Sequence, residues 1–241
     1  NHHDHAPACG LSDEPVTISI VDDNAAIRGG GLATAPLTTL RRITVHDNSA
    51  NEGGGIAIDA DHDVFLEATT VEANSASYGA GIHVDTVEDE ALQVSVAATL
   101  TLDATSQVIG NLATFQGGGL YAVGDFDLSG GSFVANDAPS GGGGIMLQAE
   151  RTGPVASDWA VREVTISGNT GFYGAGILAH GQTPSTLSLS SSTVESNVTV
   201  APTPAIPGAT APQAASGTID EAETTGVSQL YDANAGSGGR R

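Results

Sequence analysis

The chain has 241 residues and a formal net charge of -21, with 28 Asp plus Glu against 7 basic residues, all of them Arg. A nucleic-acid binder needs cations to neutralise phosphates, and an anionic membrane surface repels an acidic chain, so both partners are excluded, as is direct membrane insertion. Cys9 alone cannot staple a disulfide fold, and the longest apolar stretch, Leu92 to Leu102, is interrupted by Gln93, Ser95, Thr99 and Thr101, too short and too polar to span a bilayer.

Residues 1–15 (NHHDHAPACGLSDEP) carry no repeat and read as an N-terminal extension. The chain opens on Asn1 rather than Met, which reads as a processed form or a fragment. His2, His3, Asp4 and His5 are ligand types for Ni, Cu or Zn, although in a terminal segment such runs are commonly incidental.

From residue 16 a repeat takes over. The segments VDDNAAIRGGGL (21–32), VHDNSANEGGGI (45–56), VEANSASYGAGI (71–82), VIGNLATFQGGGL (108–120), FVANDAPSGGGGI (133–145) and ISGNTGFYGAGI (166–177) align, and VESN (194–197) adds a half-copy. The aligned Asn are Asn24, Asn48, Asn74, Asn111, Asn136, Asn169 and Asn197. Three positions earlier every copy is apolar: Val21, Val45, Val71, Val108, Phe133, Ile166, Val194. Two positions after the Asn stands Ala26, Ala50, Ala76, Ala113 or Ala138, with Gly171 in the sixth copy. The last Gly of each cluster (Gly31, Gly55, Gly81, Gly119, Gly144, Gly176) is always followed by Ile or Leu.

The Asn spacings are 24, 26, 37, 25, 33 and 28 residues. The shortest leaves no room for a helix pair with two linkers, and no copy places apolar residues at helical spacing. Period-two alternation appears instead, in Ile56-Ala57-Ile58 and along Leu92, Val94, Val96, Ala98, Leu100 and Leu102. Each repeat therefore reads as one turn of a solenoid of short strands, stacked about 4.8 Å apart, with roughly seven turns in all. The apolar, Ala and Ile/Leu columns should face inward, and the Asn should form an internal hydrogen-bonded ladder. The longer intervals read as loop insertions, one acidic (85–91) and one holding Pro154 and Trp159 (148–160).

The pairing of FVAN (133–136) with GGGI (142–145) resembles the F-x-x-N and G-G-x-I motifs of polymorphic outer-membrane protein repeats. More broadly, residues 16–199 resemble the right-handed parallel β-helix repeats of secreted bacterial proteins, the pectin-lyase-like fold. The resemblance implies an all-β, right-handed parallel β-helix with flexible ends, at an extracellular or cell-surface location. It also implies two classes of function, because that fold hosts both polysaccharide lyases or hydrolases and non-enzymatic adhesins.

For a lyase the resemblance implies clustered Asp for calcium and an Arg or Lys base. Arg28 precedes a Gly corner with Glu52 in the same column one turn on, the signature of an inter-turn ion pair. For a hydrolase it implies paired Asp near a His-Gly. Asp22-Asp23 and His180-Gly181 stand about five turns, roughly 24 Å, apart, whereas the two carboxylates of a glycosidase lie within about 10 Å of each other. No catalytic or cofactor-binding residues are assigned on this basis.

Asp59, Asp61 and Asp63 form a D-x-D-x-D run whose carboxylates suit Ca²⁺, yet Val64 and Thr70 stand where a helix-loop-helix calcium loop has Gly and Glu. The competing reading is a solvated acidic loop, and it extends to Asp85, Glu88, Asp89 and Glu90. The residue after each Ile/Leu should point outward, giving a strip of His83, Tyr121, Met146 and Leu178 that suits an interface or sugar rings.

Residues 200–241 carry no repeat, hold four Pro within 201–212 and read as a Pro/Ala/Gly-rich tail or linker, with Gln229-Leu230-Tyr231 as a stub able to dock. Neither end offers a cap helix, so a solenoid would expose its ends and could stack head to tail. The expectation is a non-enzymatic structural or adhesive protein, with a homo-oligomer or another surface protein as partner and carbohydrate as a further candidate. A polysaccharide lyase or hydrolase is the alternative.

Overall fold

A computed structural model describes residues 19–59, 62–85, 88–89, 94–95, 98–149, 157–180, 185–199, 217–220 and 230–232. Every regular element among them is a strand, and no helix is long and apolar enough to cross a membrane. Apart from one two-stranded antiparallel pair, the described strands form four parallel sheets. This is an arrangement of stacked parallel strands compatible with a parallel β-helix.

Sheet 1 contains Ser19–Asp22, Ile43–His46, Thr70–Glu72, Gln107–Ile109, Ser132–Val134, Thr165–Ser167 and Thr193–Glu195. Sheet 2 contains Ser75–Tyr78, Leu112–Gln116, Asp137–Ala138, Thr170–Gly171 and Val198–Thr199, and is continued toward the N-terminal end by single bridges Ala25 to Ser49 and Arg28 to Glu52. Sheet 3 contains Leu32–Ala33, Ile56–Ile58, Ile82–Val84, Leu120–Val123, Ile145–Gln148, Ile177–His180 and Leu230–Asp232. Sheet 4 contains Thr38–Arg41, Asp63–Glu67, Ala98–Leu102, Phe126–Ser129, Asp158–Arg162, Ser185–Ser190 and Gly217–Asp220. Through Thr199 each repeat supplies one layer in the order sheet 1, sheet 2, sheet 3, sheet 4; after it, Gly217–Asp220 joins sheet 4 before Leu230–Asp232 joins sheet 3.

Register follows the sequence columns. Val71 pairs with Val45 on one side and Val108 on the other, and Ile82 with Ile56 and Leu120. Like side chains thus stack at strand spacing, and alternation sends every second one inward. Ala98–Leu102 shows this plainly, with Ala98, Leu100 and Leu102 buried and Thr99 and Thr101 half-buried. Sheets 1, 3 and 4 meet in one core that includes Phe133, Ile145, Leu128 and Trp159. Ala76, Ala80, Ala113 and Ala138 form a second, thinner core under sheet 2. A buried Ile or Leu contributes about 1.5–3 kcal/mol, several times an exposed ion pair such as Arg41 with Glu67, so the columns dominate stability.

The corners explain the glycines. Gly53 has φ +64°, and a Cβ there would lie 2.6 Å from the carbonyl oxygen of Ile56, so the chain turns back sharply over the start of sheet 3. Gly81 is needed for a different reason: a Cβ would lie 2.7 Å from Val108 Cγ1 and 3.0 Å from Asn111 Nδ2 of the next layer. The corner between sheets 1 and 2 is a single left-handed residue directly before each Asn: Asp23, Asp47, Ala73, Gly110, Ala135, Gly168 and Ser196, with φ between 53° and 65°. Most of these are not glycine, each at a cost of about 1–2 kcal/mol that the stacked core offsets.

Three segments depart from the sequence reading. Trp159 is not in a loop: it lies on the sheet-4 strand Asp158–Arg162, 2% exposed, and its Nε1 donates to the Gly124 carbonyl at 2.7 Å. The first acidic insertion carries a small antiparallel pair, Glu88–Asp89 with Val94–Ser95, so the alternation seen from Val94 splits into two elements. The segment read as a tail or linker supplies two strands to the stack: Gly217–Asp220 beside Ser185–Ser188, which the reading did not foresee, and Leu230–Asp232 beside Ile177–Ala179, at the stub read as able to dock. An exposed strand edge presents unpaired backbone groups, and an added strand satisfies them.

Candidate functional site

The seven Asn lie one above another. Asn111 Oδ1 accepts from the backbone N–H of Asn74 and from its Nδ2, both at 3.0 Å, and Asn136 Oδ1 does the same for Asn111. From Asn48 onward each Nδ2 also donates back to the carbonyl of the apolar residue one layer earlier, as Asn74 does to Val45 at 2.9 Å and Asn169 to Phe133 at 3.0 Å. The pattern runs unbroken from Asn24 to Asn197. Asn48 through Asn197 are buried and Asn24 is exposed. From Asn48 to Asn169 both donors and acceptor are used within the column, so these amides hold the corner and are not available to a ligand.

A second buried polar column was missed. At the corner between sheets 4 and 1, Ser106 Oγ accepts from the Thr69 N–H at 3.1 Å and lies 3.0 Å from the Leu66 carbonyl. Ser192 Oγ accepts from the Val164 N–H at 3.2 Å. Thr69 Oγ1 donates to Leu40 O at 3.0 Å. Beside it, Asp103 is held ionised to lower pH than usual: burial opposes this, but hydrogen bonds from Ser106, Ala68 and Thr105 outweigh it. Only alignment on this corner would have revealed the column, because Gly131 and Val164 occupy the same place in other layers.

Among the described residues, charged and aromatic groups gather where the sheet-2 corner folds back over sheet 3. Arg28 Nη1 is 2.8 Å from Asp59 Oδ1, Nη2 is 3.5 Å from Asp85 Oδ2 and Nε is 4.0 Å from Glu52 Oε2. The ion pair expected with Glu52 is thus the longest of three. His83 is stacked on Tyr121 with ring centroids 5.3 Å apart, and Tyr78 packs edge-on against both Tyr121 and Phe115. Burial, reinforced by the Arg28 charge, pushes the His83 imidazole down to about 3, so it is neutral at physiological pH. Arg28 Nε and Nη2 and His83 Nδ1 are buried without a hydrogen-bond partner.

The chemistry open to this cluster is limited. The Arg28 guanidinium is taken up by Asp59, Asp85 and Glu52, and a neutral, buried imidazole cannot protonate a leaving group near pH 7. His180 is likewise lowered by burial, and its Nδ1 lies 3.1 Å from Gln148 Oε1. Asp22 and His180 sit on different sheets and in different layers, and the structure does not bring them together. Asp22 flanks His46 instead, with Glu72 on the other side. His46 is raised, chiefly by its 2.7 Å contact with Asp47 and further by Asp22 and Glu72.

Asp59 is engaged by Arg28, Asp63 lies on a sheet-4 strand beside Thr99, and Asp61 lies outside the described residues. Among the described residues no group of three or more His, Cys, Asp or Glu is placed to hold a metal ion. His2, His3, Asp4, His5 and Cys9 lie outside the described residues.

The strip His83, Tyr121, Met146 and Leu178 does point away from the main core, but it is not an exposed surface. His83 and Leu178 are 4% exposed, Met146 is 0% exposed, and Met146 and Leu178 pack with Tyr121 and Tyr173 into a separate cluster. The fold-back at each glycine corner covers this column, as Gly142 does where a Cβ would lie 2.7 Å from Met146 Cβ. Sugar rings therefore have no open aromatic face along it.

Fold and site together define a class no narrower than an all-β stack of parallel strands with buried polar ladders. Comparison with protein-family models, with curated proteins and with solved structures found no match.

Proposed function

We propose that the chain is a right-handed parallel β-helix of roughly seven turns, of the pectin-lyase-like kind and akin to polymorphic outer-membrane protein repeats, acting outside the cell as a non-enzymatic structural or adhesive element. The observation that carries this reading is the use made of the buried polar side chains: the Asn column is consumed by stacking, from Asn24 to Asn197. The charge supports an external setting, since an excess of carboxylates keeps a stacked β surface soluble and repels anionic polymers. End-to-end association with further copies, or contact with another surface protein, is the mode of assembly this fold favours. The test is incubation of the purified protein with neutral and acidic polysaccharides, with and without Ca²⁺, followed by chain-length analysis. Unchanged polymer length supports the reading, and depolymerisation refutes it.

One observation favours the second reading, a polysaccharide lyase or hydrolase. Arg28, Asp59, Asp85 and His83 come from adjacent layers and converge at one corner. The same assay on Asp59→Asn and His83→Gln variants decides it, because an enzyme using this corner would lose its activity in both.

A further inference from the structure

The two ends of the stack are not alike. At the N-terminal end Val21, Leu32, Leu40 and Ile43 are only partly buried, and Ile20, Ile27 and Leu37 are 61%, 84% and 74% exposed. Among the described residues, Ser19–Asp22, Leu32–Ala33 and Thr38–Arg41 are each the last strand of their sheet, and no layer precedes Asn24 to donate to its Oδ1. At the C-terminal end Thr193–Glu195 and Val198–Thr199 still end sheets 1 and 2, with Val198 53% exposed, but sheets 3 and 4 are continued. Val194 is 0% and Asn197 5% exposed, and Gly217–Asp220 and Leu230–Asp232 have been added to sheets 4 and 3.

The chemistry of the open end says what fits it. A ladder acceptor at Asn24 calls for an Asn backbone N–H and side-chain amide arriving from above, and an apolar Val at the level of Val21. In this molecule the layer that has this pattern and ends a sheet is Thr193–Glu195 with Asn197. We infer that the N-terminal end is a docking surface for the C-terminal end of a second copy of this chain, and that the strands Gly217–Asp220 and Leu230–Asp232 are a built-in cap that holds the sheet-4 and sheet-3 edges of the C-terminal end in place of that second copy. The inference rests on the structural reading above. Continuing the sheet-1 register would set Val194 beside Val21 and Glu195 beside Asp22. That carboxylate pair makes the joint weaker at low salt and stronger as salt screens it.

The test keeps the full chain and releases the cap by removing backbone donors, with Thr218→Pro, Ile219→Pro, Leu230→Pro and Tyr231→Pro combined. Sedimentation over a concentration series is read together with hydrogen exchange. The unsubstituted protein should stay monomeric. The released variant should at least double in weight-average mass with rising concentration, more so at high salt, while the Asn-column amides stay protected. Adding Val21→Asp at the opposite end should return it to monomer. A released variant that remains monomeric with freely exchanging 217–232 amides overturns the proposal, as does association that survives Val21→Asp or equal association of the unsubstituted protein. Polysaccharide cleavage would refute the structural reading without changing these masses.

Discussion

Asn111 Oδ1 accepts two hydrogen bonds from Asn74, one from its backbone and one from its side chain, across a sequence gap of 37 residues. A single carboxamide thus completes the corner of the layer before it. Asn111→Ala would strand the Asn74 N–H and Nδ2 and the Val71 carbonyl, which now receives Asn111 Nδ2. At roughly 1–3 kcal/mol per buried unsatisfied group, the loss should be about 3 kcal/mol or more. Asn24→Ala, at the exposed end of the same column, should cost about 1 kcal/mol or less. Urea melts of the two variants compare them directly.

The glycine corners yield a paired comparison. Gly81→Ala would set a methyl 2.6 Å from the Gly119 carbonyl oxygen and against the Asn111 amide, so overpacking and ladder damage combine to about 3 kcal/mol or more. Gly110→Ala meets no atom within 4 Å and pays only for its φ of +64°, about 1 kcal/mol. Ala73 and Ala135 hold that same place in neighbouring layers. Equal losses in thermal melts would contradict this division.

Among the groups whose pKa folding shifts, His83 and His46 act on stability with opposite sign. His83 has a folded-state pKa of about 3 against 6.5 unfolded, so between these values the unfolded chain binds more protons. Its contribution is intact above pH 6.5 and falls as pH drops toward 3, at up to about 1.4 kcal/mol per pH unit. His46, raised above 6.5 mainly by Asp47, contributes below pH 6.5 and loses that contribution as pH rises through its folded value. His83→Phe should flatten the acid limb of a plot of melting temperature against pH, and His46→Gln should leave that limb unchanged.

Trp159 is the sole tryptophan and lies in the core with its Nε1 on the Gly124 carbonyl. Its fluorescence should be blue-shifted and shielded from acrylamide until the stack unfolds in one step. Trp159→Phe should cost about 1–2 kcal/mol through the lost hydrogen bond and volume. A solvent-exposed emission maximum in the native protein would place this residue in a loop and contradict the sheet-4 assignment.

The columns were legible wherever one residue type answers one geometric demand. Asn is needed at a corner that uses a donor and an acceptor together, and Gly where the next layer's Asn amide and apolar side chain approach, as at Gly81. The rest was hidden where several residue types serve. The left-handed corner accepts Asp23, Ala73, Gly110 and Ser196 alike, because a single φ fixes the bend and the core bears the strain. The Thr69, Ser106 and Ser192 hydroxyls share their place with residues lacking one. The covered strip misled because period two tells which side of a strand faces the core, not whether the chain folds back over the other side. Ala57 shows this: a Cβ on Gly53 would lie 3.1 Å from its Cα, and the residue is 2% exposed. The strand Gly217–Asp220 was obscured by Pro-, Ala- and Gly-rich surroundings.

Vertical stacking of consecutive repeats is tested most directly by disulfide trapping on a Cys9→Ser background. Thr44 and Thr70 are register partners on neighbouring sheet-1 strands, while Thr165 lies in the same column several layers away. Mild oxidation of Thr44→Cys/Thr70→Cys should give an intramolecular disulfide, read by mass spectrometry, and Thr44→Cys/Thr165→Cys should give none. A protein in which the first pair stays reduced, or the second closes as readily, does not stack its repeats in this order.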